Sequence, residues 1–226
     1  MPCKRGLDLL RTVAAAPPSR PSAVRERMRG EALDLVRAEQ LTDAAYSYRI
    51  VPLDTPIGET LRLAGETLHA PWLLPASGQL TALACAVCTV GPRLETRVSE
   101  LFAQKRASLA LALDALGNEL LFAASRQAQD RVLADVRRKK LSMCGELRPG
   151  DPGLGLDAHA AVLRLAQAET IAVGLRGTHT LMPLKSASIV MGVGIALPAA
   201  SWSRCDHCPS RAKCRIVDRA AMEAAV

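Results

Sequence analysis

Four stretches of the chain repeat apolar residues at helical spacing. Ser22–Leu41 sets Val24, Met28, Ala32 and Leu35 on one face with charges opposite, and Ser22 stands where an N-cap belongs. In "DTPIGETLRLAGETLHA", Thr55 as cap and Pro56 at the first position predict a helix, with Ile57, Leu61, Ala64 and Leu68 as its stripe. Pro92 opens a third, with Leu94, Val98, Leu101 and Phe102 facing inward. The fourth runs from Ala107 to Lys140. Its first half is apolar nearly all round, which predicts a core helix, and its second half is amphipathic and ends in consecutive basic residues. The segment "AHAAVLRLAQAE" reads as a further, shorter helix, with Asp157 placed to cap it.

Between these lie strand signals. "QLTALACAVCTV" is a short apolar run closed by Gly91, which predicts a buried strand. "THTLMPLKSASIVMGVGIAL" predicts two strand segments around Pro183. Prolines in "APPSRPS" make residues 1–21 a flexible N-terminal arm. The order of elements predicts an α+β domain over residues 22–200, a sheet covered by helices, followed by a cysteine-rich tail over 201–226. There is no internal repeat.

Composition narrows the possibilities. The 226 residues are 49% hydrophobic but only 3% aromatic, so the core must be built from Ala, Leu and Val. The net charge of +7 favours anionic partners. With so few aromatics there is no base-stacking surface, which argues against nucleic acid. No uninterrupted apolar run reaches the roughly 20 residues of a membrane span. Asp8 and Arg11 interrupt the apolar patch near the start, so it does not read as a secretory signal, and a cytoplasmic, reducing location is expected. Seven cysteines then point to metal, cluster or core roles rather than to disulfides.

The candidate chemistry starts in the tail, "SWSRCDHCPSRAKC". Cys205 and Cys208 have the C-x2-C spacing that turns two sulfurs toward one metal, and Cys214 can close a further side. Arg204, Arg211, Lys213 and Arg215 favour thiolates there. The fourth ligand is open among Cys144, Cys85, Cys88, Cys3, His207 and an exchangeable group, with Cys144 preferred. A [4Fe–4S] cluster suits the compact run better than zinc. Cys85 and Cys88 also have C-x2-C spacing, but on a strand they face opposite sides and read as buried hydrophobes. The loop "RPGDPG" can offer Arg148 and the backbone N–H groups around Gly150 and Gly153 to a carboxylate or phosphate, or it can be a structural turn. Lys185, Ser186 and Ser188 lie in a strand turn, the two serines on one face. Glu119 sits in the apolar half of the long helix, where a carboxylate needs a partner or a ligand. No hydrolase triad and no phosphate-binding P-loop is present.

Taken together, "TVGPRLE…LFAQ", "LALALDALGNEL", "RPGDPGLGLDAHAAVLRLAQ" and "TLMPLKSASIVMGVG" resemble, in order and spacing, the activation domain of vitamin B12-dependent methionine synthase. The resemblance spans about Leu80 to Leu197. It implies a curved antiparallel sheet packed with helices. It also implies an S-adenosylmethionine site and a cobalamin-binding protein or methyltransferase as partner, with electrons supplied by a further protein so that cob(II)alamin can be reduced and remethylated. The family's ligand loop reads Arg-Pro-x-Pro-Gly-Tyr. Arg148, Pro149 and Gly153 match, one residue is added, and Leu154 stands in place of the tyrosine. Glu119 matches the family's helix glutamate, and the family's second acid falls on Ser142. The "PLKSAS" segment, with Lys185, Ser186 and Ser188, matches the turn that passes close to ligand and corrin. The family domain has no such cysteine triplet, so the tail implies an activator that carries its own one-electron centre. Alternatives are an S-adenosylmethionine-binding remethylation domain without a redox role, and a zinc-stabilised docking module.

Overall fold

A computed structural model describes residues 3–15 and 22–198. The cysteine triplet Cys205, Cys208 and Cys214 lies outside the described residues. The centre of the molecule is a five-stranded antiparallel sheet, built from β1 (Cys3–Arg5), β2 (Ala45–Pro52), β5 (Gln79–Thr89), β9 (Ser186–Ile195) and β6 (Ser142–Leu147) in that spatial order. Two hairpins stand apart from it: β3 (Thr60–Leu63) with β4 (Glu66–His69), and β7 (Gly174–Arg176) with β8 (Thr180–Met182). The helices are α1 (Leu10–Ala15), α2 (Ala23–Glu39), α3 (Arg93–Ala103), α4 (Ala107–Arg138) and α5 (Ala158–Ala166).

Strand alternation divides the interior in two. On β5, Ala82, Ala84, Ala86 and Cys88 face the core covered by α1 to α4, while Leu83, Cys85 and Val87 face the core covered by α5 and the β3–β4 hairpin. The sheet is therefore a middle layer. Its alanine-rich side lets α4 lie close, with Leu113, Leu116, Leu120, Ala124 and Ala128 buried against it. That close approach is how a core forms with almost no aromatics. By length and composition α4 could cross a membrane, but its buried stripe makes it the core helix of this fold. Both thiols of the Cys85–Cys88 pair are fully buried, and burial pushes each up to about 12. They are packing groups, one on each side of the sheet.

Several elements match the sequence pattern. Ser22 caps α2, its Oγ accepting from the Arg25 N–H at 3.4 Å. The strands around Pro183 are β8 and β9. Others differ. Residues 3–15 of the predicted arm belong to the fold: β1 pairs with β2, and Leu7, Leu9 and Val13 are buried. The helix predicted between Thr55 and His69 is instead the β3–β4 hairpin. Leu61 and Leu63 alternate with exposed Thr60 and Arg62, and Ala64 and Gly65, both at positive φ (48° and 79°), make the tight turn. A period of two therefore outweighs the helical spacing of Ile57, Leu61, Ala64 and Leu68. On α2 the buried residues are Ala32, Leu33 and Val36, and Val24 is exposed. Phe102, Leu111 and Phe122 point outward from α3 and α4 rather than into the core. Asp157 stands at the N-cap position of α5 but makes no capping hydrogen bond.

Candidate functional site

One end of the sheet opens into a cleft of about 550 Å³. Five elements meet there. The middle of α4 supplies Asn118, Leu121 and Phe122, and the loop after β6 supplies Arg148 and Pro149. The start of α5 gives His159, the β7–β8 hairpin gives His179, Thr180 and Leu181, and the start of β9 gives Ser186 and Ser188.

The hydroxyls of β9 are anchored. The Ser186 Oγ–H donates to the Thr89 Oγ1 at 2.9 Å, and the Ser188 Oγ lies 3.1 Å from His159 Nδ1. Both serines and His159 are buried, so these bonds satisfy groups that would otherwise be costly inside the protein. Burial, reinforced by the neighbouring His179, holds the His159 imidazole below its ordinary pKa. It is therefore a neutral hydrogen-bonding group near neutral pH. The Arg148 guanidinium donates to the Glu146 carboxylate at 3.1 Å and is itself mostly buried.

Arg148, Ser186 and Ser188 thus line one cleft. The other sequence candidates sit elsewhere. Lys185 turns to α4 and holds Asp114 at 2.7 Å and Asn118 at 2.9 Å. Gly117 permits this: a Cβ there would meet Leu94 at 2.8 Å and the Lys185 side chain at 3.2 Å. Glu119 points to α2, where Arg29 holds it at 2.7 Å, and it does not line the cleft. Gly150 and Gly153 do not line it either. Their loop folds on itself: the Arg148 N–H donates to the Asp151 carboxylate, the Gly150 N–H to the Leu154 carbonyl, and the Asp151 N–H to the Arg148 carbonyl. Pro149 and Pro152 have no N–H to offer. The loop is an internally bonded turn, and Arg148 and Pro149 are its residues that line the cleft. Gly153 has φ +84°, and a Cβ there would strike Trp72 at 2.8 Å. Leu154, at the family's tyrosine position, is buried in the second core.

Cys144 is also core. Its sulfur packs over Gly192, where a Cβ would come within 2.9 Å, and burial raises its thiol. Among the described residues no group of three or more His, Cys, Asp or Glu side chains is placed to hold a metal. Sequence reasoning missed His159, His179, Thr180 and Asn118. Only His159 left a trace, a histidine two residues into a helix directly after the glycine-rich loop.

No protein-family model matches the chain, and no curated protein matches it. Among solved structures it is similar to the MetH reactivation domain bound to AdoHcy, with a TM-score of 0.64 and 13% identity over 90% of this chain and 81% of that one. The architecture, a helix-packed antiparallel sheet, is that of the reactivation-domain fold.

Proposed function

We propose that this protein is an accessory activation domain for a corrinoid-dependent methyl-transfer system, holding an S-adenosyl-type ligand in its cleft and docking on a cobalamin-carrying partner. The observation that carries the reading is the convergence of Arg148, Ser186 and Ser188 on one cleft of this fold. The cleft's volume of about 550 Å³ is in the range of small-molecule sites. Arg148 suits a ligand carboxylate, and the buried serines and His159 suit ribose hydroxyls. Leu121, Phe122 and Leu181 give a purine an apolar wall. Phe122 and Leu184, both 57% exposed at the mouth, support a partner surface there. In its sulfonium form such a ligand supplies an electrophilic methyl group.

Calorimetric titration with S-adenosylmethionine and S-adenosylhomocysteine tests the reading. At least one should bind, and Arg148→Ala should weaken it by about tenfold or more, as expected for loss of a charged hydrogen bond. No binding of either ligand to the wild type would overturn it.

The spacing of Cys205, Cys208 and Cys214 favours a second component, a [4Fe–4S] cluster in the tail. Such a cluster would supply single electrons, the unit that takes cobalt from cob(II) to cob(I). The buried position of Cys144 makes an exchangeable or tail-borne fourth ligand the better choice. Anaerobic purification with iron, sulfide and zinc determination tests this. About four irons per chain are expected, lost on combining Cys205→Ala with Cys208→Ala. Zinc alone would leave a stabilised docking module.

A further inference from the structure

Asn118 lines the cleft from α4, and Lys185 fixes which way round its amide is held. The Lys185 ammonium is paired with the Asp114 carboxylate at 2.7 Å and donates to Asn118 Oδ1 at 2.9 Å. An ammonium has three donors and no acceptor, so the amide atom it touches must be the oxygen and not the nitrogen. The NH2 group is left as the free edge of the amide. The other polar groups of the wall are set differently. Ser186 gives its proton to Thr89 and so offers lone pairs to the cleft. The roles of Ser188 and His159 turn on the imidazole tautomer, and Arg148 shares its donors with Glu146. Asn118 also shares a helix face with Leu121 and Phe122, three and four residues further on. Those two residues are the apolar wall proposed for a purine, so the amide stands about one turn from them, at the edge of such a ring.

We propose that Asn118 reads the base of the ligand by donating a hydrogen bond to a ring nitrogen, and that Lys185 is the positioning residue that keeps the amide in its donor orientation. The ring nitrogens of adenine at its groove edges are acceptors. A flipped amide would set its oxygen against such a lone pair and its NH2 against the ammonium, two unfavourable contacts at once. The Asp114–Lys185 pair excludes that flip. Gly117 belongs to the same arrangement, because a Cβ there would come within 3.2 Å of the Lys185 side chain on its way to Asn118.

The inference rests on the reading of the cleft as an adenosyl-ligand site, and the test separates the two. S-adenosylhomocysteine, S-adenosylmethionine and 5′-methylthioadenosine are titrated calorimetrically into the full chain and its variants. The thioadenosine keeps base and ribose but has no carboxylate for Arg148. Asn118 is exposed, and Asn118→Asp keeps its size and its bond to Lys185 while offering the cleft only oxygen. That variant should bind the thioadenosine and the S-adenosyl ligands about tenfold more weakly than the wild type. Lys185→Met should weaken binding about fivefold in the wild-type background. It should have no effect on top of Asn118→Ala, since a residue that acts through the amide then has nothing to act on. Unchanged affinity in Asn118→Asp overturns the inference and leaves the site reading standing. A loss confined to the ligands that carry a carboxylate overturns the assignment of the donor to the base. A Lys185→Met loss of equal size in both backgrounds overturns the positioning role. Binding of none of the three to the wild type sinks the site reading and the inference together.

Discussion

His159 shows how a side chain's surroundings set its role. It is buried, bonded to Ser188 and kept neutral by desolvation, with the neighbouring His179 adding to the effect. Its folded pKa lies below the unfolded value of about 6.5, so the unfolded chain binds the proton more readily. Its contribution to stability is therefore present above about pH 6.5 and lost as pH falls through the lower folded value. Urea unfolding should show a decline in stability from neutral to mildly acidic pH, and His159→Asn should show a smaller one. An identical pH slope in the variant would remove His159 from the account. Little of this was legible in the sequence. Arg148, Ser186 and Ser188 could be singled out because loop and strand chemistry mark them locally. The Ser188 partner comes from a helix 29 residues away, and no local pattern records that contact. Glu119 shows the reverse: an acid in an apolar helix does need a partner, and here Arg29 is that partner.

At the scale of elements, the β3–β4 hairpin is where the sequence pattern misled. The spacing of Ile57, Leu61 and Leu68 fits both a helix and an alternating strand pair, and Pro56 fits a helix start. The turn decides it. Ala64 and Gly65 both take left-handed backbone angles, and a Cβ on Gly65 would meet nothing within 4 Å, so a substitution there changes conformational energy alone. Gly65→Ala should cost about 1 kcal/mol, and Ala64→Gly should gain a fraction of that, both read from chemical denaturation. The opposite signs would mean the turn is held by something other than its own dihedral preferences. The long helix and the central strands were legible because their patterns run far enough to be unambiguous, and only packing told which of their apolar residues stay outside. Phe122 is the example: apolar by type, exposed by position, and part of the cleft mouth.

Across the whole molecule, three layers share one sheet, and its first strand comes from the far end of the chain. Leu9 is 2% exposed and sits in the same core as α4, so the N-terminal segment closes that core rather than trailing from it. Leu9→Ala should lower the unfolding free energy by about 2–4 kcal/mol, the range for a buried leucine. A loss below about 0.5 kcal/mol, ordinary for a surface site, would show that the segment is not docked. The prolines of "APPSRPS" suggested an arm because they break the chain locally, while the burial of Leu7 and Leu9 depends on a sheet formed by residues far downstream.

The strand β9 has one face in each core and also forms the floor of the cleft at Ser186 and Ser188. An occupant bonded to that floor would hold a strand that, like β5, belongs to both layers. Its effect on opening motions should then reach through the sheet. At a hundredfold excess over its dissociation constant a ligand adds about 2.7 kcal/mol to the closed state. Amide hydrogen exchange should slow in α4 on one side and in α5 on the other, rather than only around the cleft.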